Sequence, residues 1–257
     1  MKLKGVDISY WNGSIDFDAL KKEVDFVMIR AGTGLQLDTN FRRNISECNR
    51  VGLPCGIYWF CYALNEEGAR AEARLALSVV KDYLLEYPIA YDLEDDSVHY
   101  AQTQGVTMNA DLAVRLVNAF LDEIRKGGYY GINYTNLNFI NNYGMGQIKC
   151  DLWLALWSQY YSGDTPPRTC TLWQWSSTGK VKGISTNVDM NWCYVDYPTV
   201  IANAGMNNLV KGEWWEKDWQ WGIDNVITDG TNPDKPIKRK ETVAMLHRLY
   251  NLIKGEM

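Results

Sequence analysis

The residues of this chain best suited to chemistry are carboxylates. An apolar run, Pro88-Ile89-Ala90-Tyr91, leads directly into Asp92-Leu93-Glu94-Asp95-Asp96. Pro88 to Leu93 reads as a short buried strand, bounded by proline on one side and charge on the other. Side chains alternate across a strand, so Asp92 and Glu94 share a face, about 6–7 Å apart along the backbone. Two carboxylates on one face at the exit of a buried strand stand where a βα barrel builds its sites. Such a pair suits hydrolysis of a glycosidic bond: one carboxyl group protonates the leaving oxygen, and a second group stabilises or attacks the anomeric carbon. The competing reading of the same residues is a solvated acidic turn.

Other chemistries fit less well. The 2 histidines, His99 and His247, lie near no nucleophile elbow, which argues against a Ser-His-Asp or Cys-His machine. The 6 cysteines (Cys48, Cys55, Cys61, Cys150, Cys170 and Cys193) are scattered without a C-x-x-C pair and read as free thiols of a reducing compartment. With so few histidines, neither a metal nor a cofactor is expected. A net charge of −5 without a basic block argues against nucleic acid or an anionic membrane as partner. No apolar run approaches the ~20 residues of a membrane span. The 11 Trp and 16 Tyr stand out. Such rings offer flat platforms for the apolar faces of sugars, with a polar tip for hydroxyl groups. A glycan ligand accounts for the aromatics and the acids together.

The elements that must position these groups alternate. Strands are predicted over Lys4–Ser9, Asp25–Ala31, Gly56–Tyr62, Pro88–Leu93, Tyr129–Tyr134, Leu152–Trp157, Thr171–Ser176 and Thr186–Asn191. Helices are predicted over Asp16–Glu23, Asp38–Val51, Asn65–Leu85, Asn109–Lys126 and Asn136–Tyr143, with Asn65 as an N-cap. Strand and helix alternate five times, and then strands follow one another with little helix between them. That pattern predicts an α/β barrel whose last third has lost its helices. Asp7, Tyr62, Asp92 with Glu94, Tyr134, Trp157 and Asp189 all fall near the C-terminal ends of strands. Singly, each reads as readily as a turn cap or a core aromatic. Their shared position favours a common site.

The motifs Gly5-Val6-Asp7-Ile8-Ser9, Phe26-Val27-Met28-Ile29-Arg30-Ala31-Gly32, Gly56-Ile57-Tyr58-Trp59-Phe60, Tyr91-Asp92-Leu93-Glu94, Leu152-Trp153-Leu154-Ala155 and Leu172-Trp173-Gln174-Trp175 with Val188-Asp189 occur in that order. Over about residues 3 to 198 the chain resembles the glycoside hydrolase family 25 muramidases, which include many phage endolysins. The resemblance implies a flattened (β/α)5β3 barrel that cleaves the β-1,4 bond from N-acetylmuramic acid to N-acetylglucosamine in peptidoglycan. It implies Glu94 as general acid and then base, with Asp92, Asp7 and Asp189 as the other acids of the site. Tyr62, Tyr134, Trp157 and Gln174 would bind sugar. It leans toward retention through the substrate's own 2-acetamido group, with Asp92 orienting it. A glycan-binding barrel without turnover is the alternative from another class. A chitinase-like enzyme is disfavoured, since no acid precedes Asp92 between Tyr87 and Tyr91.

Residues 1–205 are expected to form the catalytic barrel, and 206–257 a small helical appendage. In the latter, Trp221-Gly222-Ile223, Thr228-Asp229-Gly230, Pro236 and Ile237-Lys238-Arg239-Lys240-Glu241 resemble a single S-layer-homology repeat, although Lys238 stands where that family usually has Thr. Trp214–Ile223 and Ile237–Ile253 are its expected helices, joined by a turn-rich loop. The resemblance implies binding to a secondary cell-wall polymer. About 45 residues make a marginal core alone, so docking or homo-oligomerisation through this segment is also expected. The N-terminus enters a strand pattern without a secretory leader. Either the sequence is trimmed or the protein is made without its own export signal; taken with the endolysin resemblance, the latter implies a chain that waits in the cytoplasm until release and acts at the bacterial wall.

Overall fold

The apolar runs close into one eight-stranded barrel in the computed structural model, which describes residues 2–158, 161, 165–166, 168–206, 221–225, 227–228 and 239–254. The chain divides into two compact units, Met1–Leu209 and Val210–Met257. In the first unit the strands are β1 (Leu3–Ile8), β2 (Phe26–Thr33), β3 (Gln36–Leu37), β4 (Cys55–Phe60), β5 (Ile89–Asp92), β6 (Gly131–Asn136), β7 (Leu152–Ala155), β8 (Leu172–Gly179) and β9 (Val188–Cys193). Neighbours around the barrel run β1-β2-β4-β5-β6-β7-β8-β9, and β9 returns to β1. All barrel neighbours are parallel except β9, which runs antiparallel to both β8 and β1. The helices are α1 (Phe17–Leu20), α2 (Phe41–Val51), α3 (Glu66–Val80), α4 (Asp95–Thr103), α5 (Ala110–Lys126), α6 (Leu137–Asn142) and α7 (Tyr197–Asn203). Five helix-bearing connections followed by three successive strands is the (β/α)5β3 order that the sequence predicts.

Alternation along the strands divides the core in two. Phe26 and Met28 on β2, Ala90 on β5, Ile132 on β6, Trp153 on β7 and Leu172 on β8 form one buried cluster inside the barrel. The intervening Val27, Ile29, Tyr91 and Leu154 pack outward, in a cluster that includes Ala73 of α3 and Leu116 and Phe120 of α5. Parallel strands covered on both faces read as continuous apolar runs, which is why these were easy to find. One step further along the inward faces the residues become polar: Arg30, Asp92, Tyr134 and Gln174.

The structure departs from expectation in four places. The acidic run after β5 opens α4, a helix that the sequence analysis does not predict. Asp95 and Asp96 occupy its first turn, where carboxylates meet the positive end of the helix dipole. The strand β3 forms a two-residue hairpin with β2 around Gly34, at φ +56°, too short for periodicity to signal. The helix expected to Leu85 ends at Val80, although Asn65 does cap it, accepting the Gly68 N–H at 2.9 Å. The helix α7 was not expected; its N-cap Asp196 accepts the Thr199 N–H at 3.2 Å.

In the second unit, residues 221–224 are helical and α8 spans Arg239–Lys254. The Ile227 N–H donates to the Gly222 carbonyl at 2.7 Å, and Arg248 donates to the Ile227 carbonyl at 3.2 Å. Most of the expected aromatic helix Trp214–Ile223, its following loop and Pro236 lie outside the described residues. No helix among the described residues is long and apolar enough to cross a membrane.

Close packing of the barrel interior gives a stability test. A Cβ at Gly56 would stand 2.5 Å from the Pro88 carbonyl oxygen and 2.7 Å from Tyr87 Cβ. Gly56→Ala is expected to destabilise the barrel by about 1–3 kcal/mol through overpacking. Urea unfolding would register this as a lower midpoint; an unchanged midpoint would contradict the close approach.

Candidate active site

The polar layer at the C-terminal end of the barrel encloses a pocket of about 120 Å³. Four carboxylates line it: Asp7 from β1, Asp92 from the last position of β5, Glu94 just beyond, and Asp189 from β9. Tyr134 and Gln174 join them, and Arg30, Tyr58, Phe60 and Trp153 complete the wall.

Asp7 is the most thoroughly held. Its Oδ2 accepts Gln174 Nε2 at 2.9 Å and Asn191 Nδ2 at 2.8 Å. These donors are themselves fixed. Gln174 Oε1 accepts Tyr134 OH at 3.1 Å and Trp157 Nε1 at 2.9 Å, while Asn191 Oδ1 accepts Trp153 Nε1 at 2.8 Å. Strand register places Asp189 directly opposite Asp7. Burial raises the Asp7 carboxyl, against the lowering pull of its amide donors. Burial and then the charge of Asp7 push Asp189 up to about 9, and its carboxyl shares a hydrogen bond with Asp7. At neutral pH Asp189 therefore keeps its proton and donates it to Asp7, which is the better stabilised anion.

Asp92 and Glu94 form the second pair. The strand ends at Asp92, so Glu94 is not a strand residue; it is the N-cap of α4. Its backbone remains extended, at φ −144° and ψ −165°, so alternation carries past the strand and turns both carboxyls into the pocket. The Glu94 N–H donates to Ser97 Oγ at 3.3 Å, which ties this corner to the first turn of α4. Burial, then the charges of Asp96, Asp95 and Asp7, push Glu94 up to about 7. Asp92 is raised well above the usual carboxylate range by burial, then by Glu94 and Asp7. Its Oδ1 is buried with no protein hydrogen-bond partner among the described residues. A carboxyl raised in this way, beside a second carboxyl with an unused acceptor, can deliver a proton to a ligand atom while the other accepts a ligand N–H.

Six residues singled out from the sequence thus share one pocket: Asp7, Asp92, Glu94, Tyr134, Gln174 and Asp189. Trp157 reaches it through Gln174. Tyr62 does not line it; its half-buried ring stacks on Tyr100 of α4 at 4.4 Å, close to the rim. Sequence reasoning assigned no role to Arg30, Asn191 or Glu72. Glu72 is buried on α3, where it accepts the Tyr62 N–H at 3.0 Å and Tyr91 OH at 2.7 Å. It fixes the exit of β4 and the outward face of β5 beside Asp92. A buried charged residue on an Ala-rich helix face was the available signal for it.

Comparison with known proteins agrees with this geometry. Glycosyl hydrolases family 25 matches residues 6–184, a span that holds Asp7, Asp92 and Glu94. The autolytic lysozyme of Clostridium acetobutylicum is 28% identical over 193 residues, covering 74% of this chain and 55% of that protein. Lysozyme M1 of Streptomyces globisporus is 28% identical over 207 residues, 74% of this chain and 67% of that protein. The modular autolysin LytC from Streptococcus pneumoniae, solved in complex with a synthetic peptidoglycan ligand, has a TM-score of 0.66 at 28% identity, covering 75% of this chain and 47% of LytC. The chain spans about half the length of the autolytic lysozyme and of LytC. With the family match running from β1 to the turn before β9, this chain belongs to glycosyl hydrolase family 25.

Proposed function

We propose that this chain is an N-acetylmuramidase, cleaving the β-1,4 bond between N-acetylmuramic acid and N-acetylglucosamine in peptidoglycan. The observation that carries the reading is Glu94, pushed up to about 7 beside Asp92, whose buried Oδ1 lacks a protein partner. The names of the lysozyme and autolysin relatives support the same substrate.

In this reading the Glu94 carboxyl donates its proton to the glycosidic oxygen. The carbonyl oxygen of the muramic 2-acetamido group attacks the anomeric carbon, the glycosidic C–O bond breaks, and the N-acetylglucosamine chain leaves as an alcohol. Asp92, whose buried Oδ1 has no protein partner among the described residues, accepts the acetamido N–H. Glu94, now a carboxylate, takes a proton from water as that water attacks the anomeric carbon, and the bond from that carbon to the acetamido oxygen breaks, restoring the 2-acetamido group. The product retains its configuration and Glu94 regains its proton. Asp7 holds its negative charge where positive charge develops on the sugar. Gln174, Tyr134 and Trp157 orient the sugar, and Tyr62 with Tyr100 extends the wall at the rim.

The second unit is proposed as a wall-anchoring or self-associating segment of S-layer-homology type. Val243, Leu246, Tyr250 and Ile253 recur on one face of α8 and are exposed, which supports an interaction face there. The expected route, release from the cytoplasm followed by action at the wall, belongs to this proposal.

Three outcomes test the reading. Glu94→Gln should lower the rate of wall-turbidity loss by about 10²–10⁴-fold, the contribution of a general acid; a rate within threefold of wild type would remove Glu94 from the mechanism. Because the acid form is the active one and its ordinary value is 4.5, kcat/KM should fall as pH rises through about 7. A descending limb near the ordinary glutamate value would contradict the crowded pocket. Deleting residues 207–257 should weaken sedimentation with purified walls while hydrolysis of soluble glycan strands persists; unchanged sedimentation would exclude anchoring by this segment.

A further inference from the structure

Among the described residues that line the pocket Arg30 is the cation; its charge lowers the neighbouring Asp92, but it forms no ion pair with any of the four acids. Its Nε donates to Asp38 Oδ2 at 2.8 Å, and Asp38, just beyond β3 in the chain, does not line the pocket. The described ion pairs include Arg30 with Asp38 and none with Asp7, Asp92, Glu94 or Asp189. The mount is well built. The Asp38 side chain is fully buried and accepts the backbone N–H groups of Tyr10 at 3.0 Å and Asn40 at 2.9 Å. The Arg30 guanidinium also lies over the Tyr10 ring, 4.8 Å from its centroid. Two contacts therefore hold the guanidinium, one of them through a carboxylate that is itself fixed by two backbone N–H groups. Its two terminal nitrogens make no hydrogen bond to protein among the described residues, and the side chain keeps 14% of its surface exposed. A guanidinium whose Nε is engaged presents its remaining fork to an acceptor lying across from the mount, with little entropy left to lose.

The ligand of the proposed muramidase site carries one acceptor group that a chitin chain of the same length lacks. This is the O3-lactyl substituent of N-acetylmuramic acid, whose carbonyl oxygen is present whether it ends in a free carboxylate or in an amide to a stem peptide. We infer that Arg30, held by Asp38 and Tyr10, binds this lactyl carbonyl and so selects muramic acid over N-acetylglucosamine. The inference rests on the muramidase reading and assigns its specificity determinant.

The test uses the full chain and two tetrasaccharides that differ in the lactyl groups: alternating N-acetylglucosamine–N-acetylmuramic acid, and chitotetraose. Arg30→Lys keeps the charge and the ion pair but loses the fork. The double variant Arg30→Met/Asp38→Asn removes both partners, so that no buried carboxylate is stranded. Far-ultraviolet circular dichroism checks that each variant folds. The ratio of kcat/KM for the muramic substrate over chitotetraose should drop about ten- to a hundredfold, the range of a charge-assisted hydrogen bond, and mainly through KM. A ratio held within twofold in a folded variant would overturn the inference. If the unmodified chain cleaves neither substrate, the muramidase reading fails separately. The same ratio is then read from binding affinities in Glu94→Gln and Glu94→Gln/Arg30→Lys, where loss of preference supports the role of Arg30 and retained preference overturns it.

Discussion

Four carboxyl groups enclosed in one pocket cannot all be ionised. That constraint organises the upper half of the barrel. Each is pushed up by burial and by its neighbours, so the site must store protons at neutral pH. The structure answers unequally. Asp7 receives two amide donors and the proton of Asp189, and so carries charge cheaply. Glu94 and Asp92 receive no such side-chain donors and are raised by burial and by neighbouring charge. Two environments separate four chemically similar groups into an anion held by donors, the carboxyl opposite it and a pair without side-chain donors. A pair of carboxyls with different tasks is what acid–base hydrolysis of a glycoside requires.

The barrel supplies this asymmetry through strand direction. Parallel strands deliver Asp92 and Glu94 from one chain end, as in any βα barrel. The antiparallel return of β9 delivers two further groups to the same end: Asp189 opposite Asp7, and Asn191 opposite Gln174. The helical layer adds rigidity. The first turn of α4 fixes Glu94, and Glu72 on α3 pins both β4 and β5 from behind.

The sequence made the carboxylate pair legible because Asp92 and Glu94 are local: a buried strand ends where they begin. The strand order was legible for a related reason, since parallel strands buried on both faces leave unbroken apolar runs. What could not be read depends on closure. The Gln174–Asp7 and Asn191–Asp7 bonds span 167 and 184 residues, and only the register of β8, β9 and β1 brings them together. Arg30 was visible inside a motif, but its mount depends on a hairpin of two-residue length. Glu94 was placed correctly in the pocket for an incomplete reason, because the strand stops two residues earlier and helix α4 takes over. The Tyr62 ring turned to α4 because Tyr100 offered a stacking partner that no periodicity indicated.

The most direct test of the central claim is the chemical identity of the ends that the chain creates in purified peptidoglycan. Borohydride reduction after digestion, followed by acid hydrolysis, should yield the reduced alcohol of muramic acid with the unmodified chain and only background amounts with Glu94→Gln. Reduced glucosamine in its place would assign the cleavage to the other bond. No new reducing ends, with the walls still bound, would make the barrel a glycan-binding protein and contradict the account.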